Sequence, residues 1–174
     1  MNKKIIVGLL AVLVIAGGII WFRTSRRPQE KITPEITLEQ SKLIPAASLA
    51  PVLTEKEKAA IEEVFKQKGA EMTMLKNVSG GPAVGTAWRL FENKFYFKLE
   101  LNRLTETGKG FYYEAWLVGP TGFFSLGRAA ESNGTARLYY LNNQDKSEFK
   151  GVVVTLEPED GNPAPDKHIL EGSF

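Results

Sequence analysis

The chain has 174 residues, no cysteine, a single histidine, and 22 basic against 20 acidic side chains, a formal charge of +2. Such a length holds one globular domain and a tether rather than two domains. The missing cysteines exclude disulfides, thiolate metal sites, a lipid-modified cysteine anchor and a cysteine nucleophile, and one imidazole is too few for a paired-histidine metal centre.

After a short tail, 1–4, the stretch from Ile5 to Phe22 holds eighteen residues without an ionisable side chain, and twelve of them are Ile, Leu, Val or Phe. As a helix it would be about 27 Å long, near the hydrocarbon thickness of a bilayer, with insertion favoured by several kcal/mol, so a single transmembrane helix is expected over 5–22. Trp21 sits where an interfacial aromatic belongs. The same N-terminus also fits a cleaved signal peptide, with Lys3 and Lys4 ahead of an apolar core and Ala16-Gly17-Gly18 as the cleavage site. The apolar run resuming at Ile19 to Phe22 favours the uncleaved anchor. Charge alone leaves orientation ambiguous, with Lys3 and Lys4 on one flank and Arg23, Arg26 and Arg27 on the other.

From 23 to 53 the chain carries Pro28, Pro34, Pro45 and Pro51 among Ser, Thr, Gln and Glu. No period of 2 or 3.6 persists there, which predicts a flexible linker with an end-to-end distance of roughly 30 Å. Thr54 and Glu57 then have capping-box spacing, and a short amphipathic helix is expected over 54–69. Its apolar face would be Ala60, Ile61, Val64 and Phe65, with Lys66 and Lys68 at the C-terminal end of the dipole and Gly69 as the cap.

Beyond Gly69 the pattern turns to period 2. Met72, Met74 and Val78 alternate with Thr73 and Asn77, and Val84, Thr86, Trp88 and Leu90 form the next alternating set. Phe95, Phe97, Leu99 and Leu101 follow after the Glu92-Asn93-Lys94 turn. Further runs at 111–118, 123–128, 135–141, 149–157 and 168–172 bring the number to eight. An all-β domain is expected over 72–174, an antiparallel β-sandwich of about eight strands. Phe95, Phe97, Phe111, Tyr113, Trp116 and Phe149 are expected in its core.

Catalytic chemistry is thin. No Gly-x-Ser-x-Gly elbow and no phosphate-cradling glycine loop occurs, and His168 reads as a surface residue near a strand edge. From Met72 onward 11 basic residues stand against 12 acidic ones, so no nucleic-acid partner is expected. One constellation could take a hard cation such as calcium, namely Glu157, Glu159, Asp160 and Asn162 with Asp166. The spacing departs from an EF-hand loop, and Pro158, Gly161, Pro163 and Pro165 suggest a rigid turn with its carboxylates facing water. A calcium-dependent or small-molecule-binding function at this turn, hydrolytic or not, is the alternative to a pure binding domain.

Two blocks carry a family resemblance. The first runs from Phe111 to Val118, including Tyr113, Trp116, Leu117 and Val118, and is followed by Leu126 and Gly127. The second runs through Thr155, Leu156, Glu157, Pro158, Gly161, Pro163 and Pro165, and closes at Gly172. Together, over roughly 72–174, they resemble the C-terminal domain of the anti-sigma-K factor family. The resemblance implies an extracytoplasmic β-sandwich behind one transmembrane helix in the plasma membrane, N-terminus inside. In that family a cytosolic domain ahead of the helix holds the sigma factor. Only four residues precede the apolar run here, so direct sigma factor binding by this chain is not expected. The expectation is a non-catalytic, membrane-anchored sensor or binding domain, with a protein or cell-envelope partner and no cofactor.

Overall fold

The computed structural model describes residues 52–174. The expected anchor at 5–22, and the linker except for its last two residues, lie outside the described residues. Among the described residues no helix is long and apolar enough to cross a membrane.

The first element, α1, is the α-helix Glu55–Lys68. Its capping box forms as the sequence predicts: the Glu57 N–H donates to Thr54 Oγ1 at 3.3 Å, and the Thr54 N–H donates to Glu57 Oε2 at 2.8 Å. Gly69 closes the helix, its N–H donating to the Phe65 carbonyl. Of the expected apolar face, Ile61 is buried and Val64 and Phe65 are half-buried, but Ala60 is exposed. The helix therefore meets its neighbour along a narrow line. Polar contacts complete the docking: Glu62 accepts from Lys98 Nζ and from the Tyr139 hydroxyl, both at 2.7 Å.

Eight antiparallel strands follow: β1 Glu71–Asn77, β2 Val84–Phe91, β3 Phe95–Asn102, β4 Phe111–Gly119, β5 Gly122–Ser132, β6 Thr135–Asn142, β7 Gly151–Pro158 and β8 Lys167–Ser173. They are hydrogen-bonded in the order β1-β2-β3-β6-β5-β4-β7-β8, and β8 returns to β1. The all-β, eight-stranded expectation holds, but the sandwich is corrected to a closed barrel. Alternation is the same for the inner face of either architecture, so periodicity could not separate them.

Closure is made by two strands that change partners along their length. Residues 71–75 of β1 pair with β2 while Lys76 and Asn77 pair with β8. Residues 122–129 of β5 pair with β4 while 130–132 pair with β6. A β-bulge sits in the β4–β5 ladder where the register shifts beside Ala115 and Trp116. Gly127, opposite Ala115, has φ 105, a conformation that side chains with a Cβ rarely adopt.

The interior is filled by Phe95, Phe97, Leu99, Leu101, Leu117, Leu126, Val152, Val154 and Leu170, each at most 1% exposed. Tyr113 and Phe149 join them as expected, whereas Phe111, at the barrel end, is 47% exposed and is no core residue. The expected phases of β1 and β2 are also corrected. On β1 the inward set contains Leu75, and Met72 and Met74 face solvent; on β2, Gly85, Ala87 and Arg89 point inward and Val84, Thr86, Trp88 and Leu90 outward. A one-residue slip of phase exchanges the faces of a whole strand. Here the large rings of β3 already occupy the lumen, so β2 contributes small residues and one charge. Arg89 is 4% exposed, its Nε 2.7 Å from Glu71 Oε2, and its Nη1 donates to the carbonyls of Ser147 and Phe149. Its guanidinium stacks on the Phe174 ring at 4.2 Å.

Candidate functional site: a groove over β4, β5 and β6

The outer face of the barrel beside α1 carries an open groove of about 1050 Å³. Val52, Leu53, Lys58 and Glu62 form one wall, Gly161 to Pro163 the opposite rim, and Tyr112, Glu114, Trp116, Ser125, Arg128, Arg137 and Tyr139 its floor. The floor is a consequence of strand register. In β4 Tyr113, Ala115 and Leu117 fill the lumen and the alternate residues Tyr112, Glu114 and Trp116 project outward. Register places Arg128 of β5 beside Glu114 and Thr155 of β7 on its other side, while Ser125 lies beside Trp116.

These side chains are tied to one another. The Trp116 indole N–H donates to Thr155 Oγ1 at 2.8 Å. The Ser125 hydroxyl donates to Glu114 and accepts the Gly127 N–H at 2.9 Å. The Arg128 guanidinium lies 3.6 Å from the centre of the Tyr112 ring and reaches Glu159 at 3.1 Å. Burial pushes the Glu114 carboxyl above the ordinary range, with nearby Glu157 acting in the same direction and the Ser125 bond opposing. Tyr112 is raised by burial and by Glu114, and Tyr139 is pushed up to about 12 by burial and by its hydrogen bond to Glu62.

The acidic turn is not a cluster around a common centre. Glu157, expected to face water, is 2% exposed, and its Oε1 accepts the Asp166 N–H at 2.9 Å. Glu159 pairs with Arg128, and Asp160 and Asn162 accept the backbone N–H groups of Asn162 and Ala164, capping their own turn. Among the described residues no three His, Asp or Glu side chains are grouped to hold a metal. His168 is half-buried on β8, its Nδ1 2.6 Å from Glu171 Oε1, and register sets it beside Thr155 rather than beside Ser125.

The positions singled out by motif do converge. Its two blocks are adjacent strands, β4 and β7, in register from Phe111 opposite Pro158 to Val118 opposite Gly151. Trp116 and Thr155 are hydrogen-bonded across them, and Glu157 closes the turn containing Gly161, Pro163 and Pro165. The Tyr113 hydroxyl donates to the Thr105 carbonyl at 2.8 Å, and Leu117 and Leu126 lie in the core. Val118 packs on Trp116, Phe123 and Val153, and Leu156 against the main core. Gly172 runs under β1 so closely that a Cβ there would lie 2.8 Å from the Met74 carbonyl oxygen. Sequence reasoning did not find Tyr112, Glu114, Ser125 and Arg128. The available signal was the unbroken apolar run Ala115-Trp116-Leu117-Val118, which departs from alternation and implies a covered outer face; Trp116 there is as buried as the rings inside.

With this geometry in place, comparison with known families is decisive: residues 6–169 match the model described as anti-sigma-K factor rskA, C-terminal, and the chain belongs to that family. The match extends the resemblance, expected from Met72 onward, back through the linker and into the apolar run. No curated protein and no solved structure matches the chain.

Proposed function

We propose that this chain is a membrane-anchored, non-catalytic binding domain of the anti-sigma-factor type, held by residues 5–22 with the barrel on the extracytoplasmic side. Its groove over β4 to β6 receives a protein or cell-envelope partner. One observation carries the reading: the family match begins at residue 6, inside the apolar run, and continues through the barrel to 169, so run and barrel belong to one family unit. The chemistry of the groove supports binding over turnover. The Ser125 hydroxyl donates to Glu114 and accepts the Gly127 N–H, while the single imidazole, His168, contacts Glu171 and lies beside Thr155 rather than Ser125, so no serine–histidine pair is assembled among the described residues. Tyr112, Trp116, Tyr139, Arg128 and Arg137 line the groove, and Tyr, Trp and Arg are the residue types enriched at recognition surfaces.

Fusion of reporters after Phe174 tests the topology. Active alkaline phosphatase together with a dark cytosolic fluorescent protein is the expected outcome. The opposite pair of results refutes the reading.

A further inference from the structure

The outward face of β1 is where the sequence and the structure disagree most, and it carries chemistry of its own. Met72 and Met74 are 58% and 68% exposed, although alternation would place polar side chains there. They project from the same face, separated by roughly 7 Å of strand. Met72 lies directly opposite Trp88 of β2, and such antiparallel partners have Cβ atoms about 5 Å apart. Thioether side chains are unbranched and flexible, so both sulfurs can turn onto one ion beside the indole. Thioethers are neutral, soft donors that select Cu(I) over hard cations. The indole face attracts cations; Lys98 flanks Trp88 from β3, its Nζ 4.9 Å from the ring centre, and Met72 flanks it from β1 on the other side.

We propose that Met72, Met74 and Trp88 form a surface site for a soft monovalent cation, Cu(I), with the two sulfurs as ligands and the indole as a flanking cation–π partner. The ion displaces water and releases no proton, because a thioether carries none. Binding is therefore insensitive to mild acid, unlike a site built on His168 or on carboxylates, where protons compete with the metal.

Silver(I) is the redox-inert probe. The full chain, solubilised in detergent and carrying carbon-13 methyl-labelled methionine, has three methionines, Met1, Met72 and Met74. On titration, the Met72 and Met74 methyl resonances are expected to move together and saturate at one equivalent, at neutral pH and equally at about pH 5, below the usual histidine range. Met72→Leu and Met74→Leu conserve volume on an exposed face and leave the fold intact. Each is expected to weaken binding, and the double variant to lose it by more than about tenfold, as expected when both soft donors go. Trp88→Phe retains the sulfur ligands and weakens binding less than the double variant. Silver binding that is unchanged in the double variant overturns the proposal. So do methyl resonances that stay in place, or affinity that collapses at the lower pH.

Discussion

Glu114 is the carboxyl group, among the described residues, whose ionisation the fold opposes. Its carboxyl is raised chiefly by burial, so the folded barrel holds the proton more tightly than the unfolded chain does. The sign follows: between the unfolded and the folded value the native state binds more protons, stability falls as pH rises through that window, and the penalty stands in full above it. Glu114→Gln removes the charge and keeps an acceptor for the Ser125 hydroxyl. Urea midpoints of this variant and the parent should converge at acidic pH and separate above it, with the variant the more stable. Parallel pH profiles would show that Glu114 is not under this strain. Arg89 is the opposite case, a buried charge with a carboxylate, two carbonyls and a ring already in place. Sequence patterning read β2 by its apolar residues and so turned the strand over; nothing local announces that an arginine is the inward residue.

At the scale of elements, α1 and the barrel differ in how they are held. The strands are joined to neighbours on both sides, whereas α1 rests on Ile61, the half-buried Val64 and Phe65, the Glu62 contacts to Lys98 and Tyr139, and a Lys68–Glu92 ion pair. An isolated helix of fourteen residues is marginal in water, so its cap matters. Thr54→Ala should cost about 1 kcal/mol of helix stability. Hydrogen exchange should show it as faster exchange confined to α1 amides, with β3 and β6 protected as before; a loss of protection spread across the barrel would mean that the helix is part of the cooperative core. One wall of the groove is this weakly held helix, so the site can adjust its width without disturbing the floor.

For the whole molecule, the seam between β8 and β1 decides whether the eight strands form a ring or two stacked sheets. Gly172 lies at that seam, under the Met74 carbonyl. Gly172→Ala forces β8 away from β1, and overpacking of this kind costs about 1–3 kcal/mol. Because closure leaves every strand dependent on both neighbours, thermal unfolding should remain a single transition at a lower midpoint. A separate early transition would show instead that β8 and β1 detach as a unit.

The sequence alone determined what is local. The capping box and the end of α1 follow from Thr54, Glu57 and Gly69, and the strands follow from alternation and turn residues. The family was legible in two blocks of motif residues, but that these blocks are the neighbouring strands β4 and β7 came from the structure. The ring, the phase of β1 and β2, the burial of Glu157 and the floor of the groove were decided by tertiary structure. Each depends on which strand lies beside which, and alternation has the same period on both sides of a strand. Whether a carboxylate meets water or a backbone N–H depends on a chain segment distant in sequence, and only closure of the barrel brings those segments together.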